Sequence, residues 1–223
     1  MKTTIKLLFL MSVLFFSTVA LAQESGDKSP SSAPIPVEMF FGSNRLVANI
    51  TMNKRISGSD RLGLIVSSYI AAAYDNDNSK NESMNVLLFS YDIYKGLGVI
   101  GGAALNSHWG FRPFAGGQYS YANKIIFAML SSGFYLTEAQ SFEAKAIVQY
   151  TPRLKGNWSL YTKIDGLFSE AMDVMKHDRS ALYGRLGLSY KAFGFGLAVD
   201  FDWYGPSAMS RENYGLFIRY AFK

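Results

Sequence analysis

The chain contains no cysteine, so neither a disulfide framework nor a lipid-modified N-terminal cysteine is available to it. Histidine is nearly as scarce, with only His108 and His177. Beyond Ala22 no apolar run approaches the roughly 18 residues that a membrane-spanning helix needs, which excludes a helical membrane protein. Lys and Arg are scattered rather than run together, so the footprint of a nucleic-acid binder is missing too. What remains abundant is aromatic and aliphatic residues, 15% and 49% by the aromatic and total hydrophobic counts.

The first segment, MKTTIKLLFLMSVLFFSTVALAQ, has Lys2 and Lys6 ahead of an apolar run, then Ala20 and Ala22 at the spacing of a secretory cleavage site. The run is shorter than the roughly 20 residues of an anchor helix. Residues 1–22 are therefore expected to be a cleaved signal peptide, whose removal takes the formal charge from +5 to +3. Residues 23–36, rich in Ser and Pro without periodicity, are expected to be a disordered leader. The fold is expected to occupy 37–223.

From Val37 onward the dominant period is two, the signature of strands. The expected strands are Val37 to Phe41, Leu46 to Ile56, Arg61 to Ala73, Met84 to Tyr94, Leu97 to Asn106 and Arg112 to Tyr121. They continue with Ile125 to Leu136, Ser141 to Thr151, Trp158 to Phe168, Ala181 to Lys191, Phe193 to Tyr204 and Tyr214 to Phe222. Ten to twelve such segments, with no helix left over, make an all-β chain. Connections alternate between short ones, such as those at Lys95, Ala122 and Ala192, and longer polar ones, such as DNDNSKNE from Asp75 and EAMDVMKHDRS from Glu170. An even strand count puts both chain ends at the rim with the short turns.

In FGFGLAVDFDWYG the odd positions are Phe193, Phe195, Leu197, Val199, Phe201 and Trp203, and the even ones are Gly194, Gly196, Ala198, Asp200, Asp202 and Tyr204. The same division recurs around Leu182 to Tyr190, Trp158 to Phe168 and Tyr214 to Phe222. One face is aliphatic and aromatic throughout. The other is too small and too sparsely charged for a good solvated exterior, but suits the inside of a narrow barrel. Eleven residues at about 3.3 Å each, tilted about 45°, rise roughly 26 Å, close to the apolar band of about 25 Å of a membrane barrel. Trp158 and Phe193 beside short turns, with Trp203, Phe168 and Tyr135 near long loops, are candidates for two interfacial girdles. A charge at Leu197 or Val199 is expected to cost about 2–4 kcal/mol, and one at Ala198 far less.

The signal peptide, the alternating strands from about Leu46 and the terminal YGLFIRYAF together resemble the outer-membrane β-barrel proteins of diderm bacteria. The resemblance implies an antiparallel up-and-down transmembrane β-barrel of about twelve strands with outer-membrane lipid around it. It also implies engagement of the barrel-assembly machinery through the C-terminal strand, although here Lys223 follows the usual terminal aromatic, Phe222.

Chemistry is sparsely signalled. Adjacent Ser107 and His108 point to opposite faces of an extended chain, which works against them as a pair. Ser180 with His177 and Asp178 is geometrically possible, and would be the nucleophile and base of an outer-leaflet lipid hydrolase. DNDNSKNE lacks the glycine and closing glutamate of a calcium loop, and GLGVIGG from Gly96 has no helix or lysine after it to make a phosphate cradle. Its glycines fit strand curvature better. No cofactor or metal is expected. The charges expected inside are Arg55, Arg61, Asp92, Glu143, Lys145, Lys163, Asp165, Arg185, Lys191, Asp200, Asp202 and Arg219. Enclosed charges must pair or meet water, so they belong either to a narrow passage for small hydrophilic solutes or to the plugged lumen of a structural or surface-interaction barrel. The narrow passage is the expected function.

Overall fold

A computed structural model describes residues 34–222. The strands are β1 (Ile35–Gly42), β2 (Arg45–Arg55), β3 (Leu62–Ala73), β4 (Glu82–Tyr94), β5 (Leu97–Asn106) and β6 (Gly110–Ala122). They continue as β7 (Ile126–Tyr135), β8 (Phe142–Tyr150), β9 (Trp158–Ala171), β10 (Lys176–Tyr190), β11 (Phe193–Tyr204) and β12 (Met209–Phe222). Each pairs antiparallel with its sequence neighbours, and β1 pairs with β12, closing a barrel of twelve strands. Closure leaves no strand edge unpaired.

Ile35 pairs with Phe222, so the ends of the described chain share one rim, called here the terminal rim, with the connections at 56–61, 95–96, 123–125, 151–157 and 191–192. One of the two two-residue connections on this rim is made by Lys95 and Gly96, both at positive φ (42° and 84°), the backbone that such a hairpin turn requires. The opposite, distal rim carries 43–44, 74–81, 107–109, 136–141, 172–175 and 205–208.

Several boundaries differ from the sequence reading. Ile35 and Pro36, assigned to the leader, pair with Phe222 and Ala221; the proposed signal peptide and the leader as far as residue 33 lie outside the described residues, as does Lys223. Two of the expected long distal loops are largely strand, since β9 runs on to Ala171, β10 begins at Lys176 and β12 at Met209, whereas the connection at 74–81 stays outside the ladder. Polarity was taken as a loop signal, yet these polar residues stay in the ladder: Lys176 opposite Ala171, Arg211 opposite Asp202. The difference in loop length between the rims is accordingly small.

The exterior is apolar and exposed. Leu197 is 61% exposed, with Leu186 and Leu216 on the facing positions of its neighbours. This is the inverse of a soluble protein, and the surface of a barrel that spans lipid. Inward-facing Gly98, Gly102, Gly116 and Gly133 mark tight curvature in β5 to β7: a Cβ on any of them would sit 2.1–2.4 Å from a neighbouring strand's carbonyl oxygen.

Candidate functional site

The interior divides into a filled side and an open side. On the filled side, β1, β2, β11 and β12 turn Phe40, Val47, Ala198 and Phe217 inward with Tyr161 of β9, all of them buried. Arg185, above the Phe40 ring at 4.8 Å, donates from Nε to Glu38 (2.8 Å) and from Nη1 to Asp200 (2.6 Å). Each ion of this trio is desolvated, so its stability depends on all three being present.

Toward the distal rim lies a second network. Arg179 pairs with Asp202 (2.8 Å) and approaches Glu82 (3.6 Å), Arg211 pairs with Glu82 (3.3 Å), and Arg45 joins Asp202 directly and Glu82 at 3.7 Å. Tyr204 donates to Glu82 (2.6 Å) and Tyr183 to Asp202 (2.7 Å). Two carboxylates are thus held by three guanidiniums and two phenols. Nearer the terminal rim, Arg55 pairs with Asp92, while Lys145 and Lys163 flank Asp165 at 3.7 and 3.5 Å. Arg219 lies over the Tyr161 ring at 4.3 Å.

The open side is a cavity of about 370 Å³. It reaches from His108, Trp109 and Gly205 at the distal rim down to Gln118 and Met129 on β6 and β7. Its lining includes Glu143, Lys145 and Asp165, and Glu143 accepts from Tyr135 Oη at 3.0 Å. Above the distal rim, outside the spanning strands, a hydrogen bond from Lys80 holds the Asp75 carboxyl below the usual carboxylate range.

Of the twelve charges expected inside, Arg55, Asp92, Glu143, Lys145, Lys163, Asp165, Arg185, Asp200, Asp202 and Arg219 lie on inward positions. Two do not. Arg61 precedes β3 in an exposed turn, where its guanidinium reaches the outward Tyr91 hydroxyl at 3.4 Å. Lys191 forms the β10–β11 turn at positive φ, with its ammonium 5.5 Å over the Tyr190 ring. In both cases the strand stops one residue short of the expected end, so alternation no longer fixes the side chain.

Among the aromatics, Trp158 and Phe193 lie outward at the terminal rim, and Phe168 and Trp203 outward at the distal rim. Trp158 packs on Tyr190 and Phe195, and Trp203 stacks on Phe201. Tyr135 is the exception: it is buried inside, 5.2 Å from Phe114 and 5.5 Å from Trp109. It had been placed by its nearness to a loop; strand parity gives the outward position to Phe134. Glu38, Arg45, Glu82, Arg112, Arg179 and Arg211 were missed, because all but Arg112 fell in a weak strand or just beyond an expected strand end. Their parity with Phe40, Val47, Met84, Ala181 and Asn213 was the available signal.

On the outward side of β10, Ser180 faces the distal interface and its Oγ lies 2.9 Å from His177 Nε2; His177 Nδ1 is 2.6 Å from the Gly205 carbonyl oxygen. The carbonyl can only accept, so Nδ1 carries the proton and Nε2 accepts from Ser180.

No protein-family model and no curated protein matches the chain. Among solved structures, the NanC porin in a rhombohedral crystal form aligns with a TM-score of 0.51 at 10% identity, over 85% of this chain and 99% of that one. The KdgM porin aligns with a TM-score of 0.48 at 12% identity over the same shares. At 10% identity the likeness to the NanC porin is one of fold, and the fold of this chain is a closed antiparallel barrel of twelve strands.

Proposed function

We propose that the protein is an outer-membrane channel of a diderm bacterium, giving small hydrophilic solutes a narrow passage. The observation that carries this reading is the division of the lumen: one side filled by paired charges, the other kept as a cavity with polar groups along it. A purely structural barrel of this width gains nothing from leaving that space unfilled, because voids forfeit packing. The apolar exterior with aromatics at both rims supports a place in lipid. The N-terminal segment supports export, and the outward Tyr214, Tyr220 and Phe222 of β12 supply the aromatic strand that the assembly machinery would engage. The distal rim faces outward from the cell on this reading. Purified protein in a planar bilayer is expected to pass small stepwise currents with weak ion selectivity, since the lumen charges are largely paired. No current above background at any voltage would end the proposal.

A second reading, an outer-leaflet lipid hydrolase, draws on the Ser180–His177 pair, whose tautomer and outward position suit a nucleophile and its base. Release of fatty acid from detergent-dispersed phospholipid, lost on His177→Ala, is its expected signature. A parent protein without turnover eliminates it.

A further inference from the structure

The cavity wall is not uniformly polar. On β3 to β6 it is formed by Ile65, Leu88, Ile100, Ala104 and Phe114, joined by Tyr135 into one apolar cluster. Across from it, β8 to β10 present Glu143, Lys145, Asp165 and Arg179. Water finds no hydrogen-bonding partner on the first wall, whereas an apolar group would be favourably buried against it. These side chains pack on one another and on Met84, Val86 and Trp109, and so hold a fixed apolar wall along the cavity.

The acidic groups of the cavity are engaged. Glu82 is held by Tyr204 and arginines, Asp165 by two lysines, Glu143 by Tyr135, and Asp178 by Ser169 at 3.4 Å. Arg112 differs. Its guanidinium lies over the Trp109 ring at 4.4 Å, and among the described residues no carboxylate forms an ion pair with it. Lower in the same cavity, Tyr69 Oη and Gln118 Oε1 are buried without a hydrogen-bond partner.

We infer that the cavity binds a small amphipathic monoanion, an aromatic or short aliphatic carboxylate. Its apolar body lies on the β3–β6 wall and its carboxylate meets Arg112 beside Trp109. A volume of about 370 Å³ is at the lower end of the range for small-molecule sites, which suits a ligand of this size and not an oligomer. The inference names the solute class of the proposed channel and rests on that reading for onward passage, though not for binding.

The chain has three tryptophans, two of them on the exterior. A Trp158→Phe/Trp203→Phe protein, folded in detergent and checked by heat-modifiable migration, leaves Trp109 as its only indole. Titration with 3-phenylpropionate is expected to change Trp109 fluorescence saturably, while gluconate, an anion without an apolar body, and 2-phenylethylammonium leave it flat. Arg112→Gln is expected to weaken binding at least about tenfold, the loss of one charge-assisted hydrogen bond. Ile100→Thr, with Arg112 intact, is expected to weaken it as well. The inference is overturned if 3-phenylpropionate gives no saturable change, if gluconate matches it, or if neither variant alters the affinity. Saturable binding by a protein that passes no current would end the channel reading and leave the site standing; current without binding would do the reverse.

Discussion

Single residues on β11 show how sharply the two faces differ. Leu197 is 61% exposed on the outside, and Leu197→Lys is expected to cost about 2–4 kcal/mol at the bilayer midplane, measurable by urea unfolding of the protein folded into lipid vesicles. Its neighbour Ala198 was expected to tolerate charge, but it is 2% exposed and packed with Phe40, Val47 and Phe217. Ala198→Lys is therefore expected to destabilise the barrel as well, by overpacking and by burying an unpaired ammonium. The sequence distinguishes inside from outside at this position; it carries no sign of whether the inside is wet. Arg185 makes the same point in charge. Arg185→Met leaves Glu38 and Asp200 buried without their partner, and about 3–5 kcal/mol of stability should be lost in the same unfolding assay. A triple replacement that also makes both carboxylates apolar should recover much of it.

Among the strands, the legible ones were those whose alternation runs uninterrupted, as in β11, whose bounds Phe193–Tyr204 match the sequence reading. Ends were less legible wherever a strand rises past the apolar band, because the outward positions there turn polar and the pattern that marks a strand disappears. Lys176 to Ser180 of β10 and Met209 to Asn213 of β12 are such ends, and they hold Arg179 and Arg211, two of the three arginines of the distal network. One such end carries a polar residue that ties strands together, Asn213. Fully buried, it accepts from the backbone N–H of Asn44 (2.9 Å) and Arg45 (3.3 Å) and donates to the Arg45 carbonyl (3.0 Å). It thereby stitches β12 to the β1–β2 turn. Gly42 makes room for it, since a Cβ there would lie 2.1 Å from the Asn213 amide. Asn213→Ala is expected to cost about 1–3 kcal/mol for the backbone groups left unsatisfied and to lower the temperature at which the folded gel band converts to the unfolded one. Gly42→Ala should do the same by steric conflict, with no hydrogen-bonding group removed.

At the scale of the whole molecule, eleven of the twelve strand pairings join sequence neighbours, and only β1 with β12 does not. Every strand pairing except that seam is a local hairpin, whereas the hydrogen bond from Asn44 to Asn213 joins positions 169 residues apart. Loop closure must be complete before contacts of that separation contribute anything. Closure is therefore expected to come last in folding: until β12 meets β1, the sheet is open with two bare edges. Refolding into vesicles should show the hairpin signal, read by far-ultraviolet circular dichroism, running ahead of resistance to heat and protease. Asn213→Ala should slow the second phase and spare the first.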